Sequence, residues 1–178
     1  MTTLYEATRD LHHACEAHPV GQAMVNGAVT PQHWADWLWA MRALHSVVDA
    51  GLPVHMARDA VLGADLSVLP KAHASRAALH FARELIGGDC TGAAYVLHGA
   101  HHSGGRVLAP RMAKRGLPSL HTSYLDAAAS KAWIVAARDR LEATQQARAT
   151  FRCLLEVMDE IVAQEGLGSP STALESQP

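Results

Sequence analysis

Few cysteines, few aromatic rings and no long apolar run limit what this 178-residue chain can be. Its three cysteines, Cys15, Cys90 and Cys153, are odd in number and lack any CxxC spacing, which argues against a disulfide framework or a cysteine zinc site. No stretch of about 18 consecutive apolar residues occurs, so no membrane partner is expected. A net charge of −2 gives no basic excess, and nucleic acid is not an expected partner either. The opening MTTLYEATRD carries charges where a signal peptide has its apolar core, which predicts a cytoplasmic protein. Alternating β-branched runs of strand length are also missing. Against these shortages stands one surplus: twelve histidines, beside four Trp, three Tyr and two Phe.

Glycine and proline divide the chain into helical blocks. Residues 3–18 place Leu4, Thr8, Leu11 and Cys15 on one stripe, and Pro19 is read as the stop. A short turn follows at Asn26-Gly27. Thr30-Pro31 then supplies an N-cap and a first-turn proline for a helix with apolar residues at Trp34, Trp37, Leu38, Met41, Leu44 and Val48. Further helices are predicted over 54–62, 71–86, 91–114, 124–142 and 144–164, with a looser stretch at 63–70 and a loop at 116–123. The expected architecture is all-α: one compact domain over 1–165, a multi-helical bundle of about seven helices. The polar segment 166–178 is read as a disordered tail.

Two places carry chemistry. His12 flanks the interior stripe of the first helix, and Glu16 lies one turn later on the same side. A neutral imidazole can ligate iron through one nitrogen and donate its other N–H to a carboxylate, so His-x3-Glu suits a haem axial site. An ordinary helix-surface pair has the same spacing. The second place is the run from Tyr95 to Val107, where Gly99, Gly104 and Gly105 interrupt a helix. Each interior glycine costs about 1 kcal/mol relative to alanine. Close approach of a flat ligand such as a porphyrin would explain that cost, and so would tight helix packing or a break in the helix. His98, His101 and His102 fall on one face of this segment and could also serve a metal.

These residues resemble a family. Leu4-Tyr5-Glu6-Ala7-Thr8-Arg9-Asp10-Leu11-His12, followed by Ala14 and Glu16, resembles the opening helix of haem oxygenases, where the histidine is the proximal haem ligand and the glutamate its hydrogen-bonding partner. Gly27-x-x-Thr30 before a Trp-rich helix looks like the same family, as does Arg58…Leu62-x-x-Asp65-Leu66 of its bacterial branch. Tyr95-Val96-Leu97-x-Gly99 with Ser103-Gly104-Gly105-Arg106-Val107 resembles the distal helix, whose glycine backbone lies against the haem. The similarity spans about residues 4–162. It departs where Ala100, His101 and His102 replace small or acidic residues, and where Tyr5 replaces a lysine that meets a propionate in some members.

The resemblance implies a haem oxygenase-like bundle that degrades haem to biliverdin, iron and carbon monoxide with electrons from an external reductase or ferredoxin. It assigns His12 to the iron, Glu16, Tyr95, Gly99 and Arg138 to haem binding, and His101, Gly104 and Gly105 to the catalytic distal side. Lys131 and Arg140 join Arg138 as candidates for the propionates. His101 either orders distal water or ligates iron. Three other functions compete: a weakly active haem carrier or sensor, a non-haem iron oxidase using pairs such as His12/Glu16, His80/Glu84 and His98/His102, and a thiaminase-like hydrolase, for which no cysteine shows a local signature.

Overall fold

The computed structural model describes residues 2–167, with side chains through Gln164. Helix α1 (Leu4–Ala17) starts in a capping box between Thr3 and Glu6 and buries Leu4, Thr8 and Cys15 of the expected stripe, with Leu11 partly buried against the core. The proline that closes α1 also opens α2 (Pro19–Asn26), where a turn was expected. His18 caps it, its Nδ1 accepting from the Val20 N–H at 3.2 Å, and Pro19 occupies the first helical position. Gly27, at φ +66°, ends it in a left-handed cap. Helix α3 (Pro31–Val48) begins as its sequence predicts, with Thr30 Oγ1 accepting from the His33 N–H at 3.1 Å.

The helix expected over 54–62 is displaced. A 3-10 turn covers Val54–Met56, and α4 runs Asp59–Leu66, taking in half of the stretch read as loose. The cause lies at Arg58, whose backbone N–H donates to Asp49 Oδ2 at 2.7 Å and is therefore withheld from a helical ladder. Helix α5 spans Arg76–Leu85 behind a Ser75 cap. The glycine-bearing segment is α6 (Thr91–Gly99), one π turn (Ala100–Gly104) and α7 (Gly105–Lys114), which tolerates Pro110. Helices α8 (Ala127–Ala137) and α9 (Thr144–Leu167) complete the chain. The described residues thus hold nine α-helices and no strand, against about seven helices expected. The predicted disordered tail lies outside the described residues, except for its first two positions, which belong to α9.

Helix α9 is the axis, packed by α1, α3, α5 and α6. Helix α3 supplies most of the core, with Trp34, Leu38, Met41, Leu44 and Val48 buried. Two ties place the elements of the site. Trp34 Nε1 donates to the Pro118 carbonyl at 2.8 Å and pins the 116–123 loop, while the Leu4 N–H donates to the Arg138 carbonyl at 2.8 Å and joins α1 to the end of α8. Among the described residues no helix is long and apolar enough to cross a membrane.

Candidate functional site

His12 sits at the edge of α1 with its ring half-exposed. Its Nδ1 lies 3.6 Å from Glu16 Oε2, an ion-pair distance longer than a normal hydrogen bond. The ring meets Phe151 of α9 edge-on at 5.8 Å and lies 6.4 Å from the ring of Tyr5. Helix spacing accounts for the pair, and Phe151 fixes the plane of the imidazole.

Beyond Tyr5 opens a cleft of about 400 Å³ between α1, the π turn and α8. Tyr5, Tyr95, His102 and Ser103 line it together with the aliphatic Ile134 and Val135. Arg106, Lys131 and Arg138 stand around it, and among the described residues no carboxylate lines it. Arg138 lies 5.6 Å from the centre of the Tyr5 ring. Burial pushes the Tyr95 phenol above its usual range, so it remains a neutral donor. Burial lowers the His102 imidazole, and nearby Arg106 adds to the effect. Aromatic walls with three cations and no acid suit a flat apolar ligand that carries carboxylates, which is the chemistry of haem. Of the residues expected at a haem site, Tyr95 and Arg138 line this cleft; His12, Glu16, Gly99, His101, Gly104 and Gly105 do not. A larger cleft of about 860 Å³, between the end of α3, the 86–91 loop and α8, has only Asp89 and Arg140 as charged lining.

The three glycines divide. A Cβ at Gly99 or Gly104 would meet nothing within 4 Å, so both backbones border open space. A Cβ at Gly105 would lie 2.7 Å from Thr122 Cβ, and this glycine is therefore required for the 120–122 turn to pack on α7. Within the π turn His102 lines the cleft, whereas its neighbour His101 is buried and lies against His45.

His101 joins a cluster that the sequence shows only in fragments. Its Nε2 is 2.7 Å from Nε2 of His45 on α3. His45 Nδ1 lies 2.9 Å from Asp49 Oδ1, and His98 Nε2 lies 3.0 Å from the same oxygen. Tyr124 holds the other His98 nitrogen at 2.9 Å. One tautomer set satisfies every contact: His45 and His98 donate to Asp49, His101 donates to His45, and Tyr124 donates to His98. Burial pushes His98 down to about 4 and His101 well below the usual imidazole range, so both are neutral. Burial works against the Asp49 carboxylate, but the hydrogen bonds from His45 and His98 outweigh it and keep the group ionised. Its counter-charge is Arg58, buried with its guanidinium 4.0 Å over the Tyr124 ring and donating to the carbonyls of Met56, Ala57, His121 and Ser123. The ligand atoms of His45, Asp49 and His98 lie within 4.8 Å of one another.

A second buried pair stands beside this cluster. His121 Nδ1 lies 2.6 Å from Asp65 Oδ2, and the Asp65 carboxylate also accepts the N–H groups of Leu120 and His121 at 3.0 Å. The His121 ring is 5.1 Å from that of His101. Sequence reasoning missed His45, Asp49, His121 and Tyr124. The signal within reach was His45-x3-Asp49, the spacing that drew attention to His12 and Glu16.

No protein-family model matches the chain, and no curated protein sequence matches it. Among solved structures it is similar to the haem oxygenase-1 of the cyanobacterium Synechocystis in complex with haem, with a TM-score of 0.73 over 92% of this chain and 91% of that one. Identity over that match is 15%, so what the two share is the fold. The chain has the all-α haem oxygenase fold.

Proposed function

We propose that this chain is a cytoplasmic haem oxygenase: it binds haem in the cleft beside Tyr5 and degrades it to biliverdin, iron and carbon monoxide, drawing electrons from an external reductase or ferredoxin. The observation that carries this reading is the acid-free, tyrosine-walled cationic cleft lying beside His12 in a haem oxygenase fold. Haem is at once the oxygen-activating cofactor and the substrate of that reaction.

His12 would hold the iron through Nε2, with Glu16 steadying Nδ1–H from one turn away. Arg138, Lys131 and Arg106 would pair with the propionates, and Tyr95 would hydrogen-bond at the same edge. Gly99 and Gly104, whose backbones border open space beside His102 and Ser103 of the cleft, would give a flat ligand room to approach the helix. His101 keeps its Nε2 on His45, which supports an iron face free of that second histidine. His102, which lines the cleft, is the residue a haem carrier would use as its second ligand.

One titration with haem, followed by reductant in air, tests the proposal. Expected are a Soret band saturating at one equivalent and conversion to biliverdin. His12→Ala should abolish the histidine-ligated spectrum, and added imidazole should restore it. An unchanged spectrum in that variant removes His12 from the iron. A low-spin ferric spectrum that turns high-spin in His102→Ala, with no biliverdin formed, makes the protein a carrier instead.

A further inference from the structure

We propose that His45, Asp49 and His98 form a binding site for one divalent transition-metal ion, separate from the haem cleft. Three observations carry it. The donors are two imidazoles and one carboxylate, the set that suits a borderline ion such as Zn²⁺ or Fe²⁺ and not an oxygen-seeking one such as Mg²⁺. Both imidazole nitrogens already stand 2.9 and 3.0 Å from a single Asp49 oxygen. Ligands bound at about 2.0–2.2 Å around one ion stand roughly 3 Å apart, so these contacts are close to ligation geometry. All three donor atoms lie within 4.8 Å of one another, and rotation of the two rings brings them together.

The third observation is the outer shell. A ligating histidine needs a partner for its other nitrogen, and here each has one. With an ion in place, His45 carries its proton on Nε2 and donates it to His101 Nε2, 2.7 Å away. His98 carries its proton on Nδ1 and donates to the Tyr124 oxygen at 2.9 Å. The Tyr124 hydroxyl then turns to the His98 carbonyl, 3.4 Å away. Asp49 Oδ2 stays on the Arg58 N–H. Binding therefore requires tautomer shifts and a small rotation of each ring, and no proton leaves the imidazoles. Three protein ligands leave the ion's remaining coordination positions unfilled by protein, as in a two-histidine, one-carboxylate centre.

The test uses the full chain free of haem, so its outcome is independent of the oxygenase reading. Protein stripped by chelator is dialysed against Zn²⁺ or, without air, Fe²⁺, and bound metal is counted by mass spectrometry. One tight equivalent is expected, retained in His80→Ala and lost in Asp49→Asn. X-ray absorption on the zinc-loaded wild type should give a shell containing two imidazoles, a result that requires no variant and decides the matter if Asp49→Asn does not fold. No tight equivalent in the wild type overturns the proposal. So does an equivalent that survives in folded Asp49→Asn, that disappears in His80→Ala, or whose shell lacks two imidazoles.

Discussion

The edge of α1 and the end of α3 carry the same sequence device, a histidine and a carboxylate four residues apart. At His12 and Glu16 the atoms are 3.6 Å apart and the side chains are 42% and 57% exposed. At His45 and Asp49 they are 2.9 Å apart, with side chains 0% and 9% exposed. A third copy, His80 with Glu84 on α5, is exposed and 3.7 Å apart. Helical spacing brings each pair together, but only burial compels a close contact, because a buried carboxylate has no water to accept from. Water solvates the other two pairs, which leaves the His12 ring free to turn outward, whereas His45 is held against Asp49 and His101.

Replacing Asp49 by alanine should break this contrast most sharply. The change leaves His45, His98 and the Arg58 N–H without their acceptor and Arg58 without its counter-charge, a loss of about 3–5 kcal/mol in urea unfolding. A loss below about 1 kcal/mol would place the buried cluster on a par with the surface pairs.

Acid should sharpen the comparison through Asp65. Burial raises this carboxyl, but His121 and the N–H groups of His121 and Leu120 outweigh it and hold it below the ordinary carboxylate range. A folded value lower than the unfolded one means stability that is fully present above the unfolded value, near 3.9, and lost as the pH falls through the folded one. Unfolding free energy measured from pH 6 downward should drop across that range, and the drop should flatten in Asp65→Asn. An equally steep profile in that variant would exclude Asp65 as its source.

The distal glycines should differ in sign. Gly105→Ala forces a Cβ onto Thr122 and should cost about 1–3 kcal/mol, whereas Gly104→Ala meets open space and should gain up to about 1 kcal/mol. Equal melting temperatures in the two haem-free variants would contradict the packing assigned to Gly105. The smallest effect belongs to Glu16→Gln, below about 1 kcal/mol in the haem-free protein. In the haem-loaded protein the same change should move the iron–histidine stretching frequency, and a fixed frequency would separate Glu16 from His12.

Local signals made the helical blocks legible. Thr30-Pro31 announces α3, and the Leu4–Thr8–Cys15 stripe announces the buried face of α1, because caps and periodicity act within a few residues. The start of α2 was hidden because Pro19 serves equally as a stop and as a first helical residue. The start of α4 was hidden because Asp49, nine residues upstream, takes the Arg58 N–H. In the site, Tyr95 and Arg138, expected from the sequence as haem-binding residues, line one cleft. His45 with Asp49 was not legible: the apolar spacing marks the face of α3 that holds His45 as buried, but not that His98 of α6 will meet the same Asp49 oxygen. Nor does it tell that Tyr124 and His98, 26 positions apart, will meet.

The π turn at 100–104 is a single-residue insertion carried inside a helix. The wider turn takes up its extra residue locally, so the helices on either side keep their register. Deleting one residue there would narrow the turn to an ordinary α-helical one and leave Gly105 against Thr122. A deletion within α6 or α7 has no slack to draw on and would turn everything downstream by about 100°. The turn is thus a store of chain length, and a scan of single deletions along 91–114 should find its most tolerant spot here and not at either end.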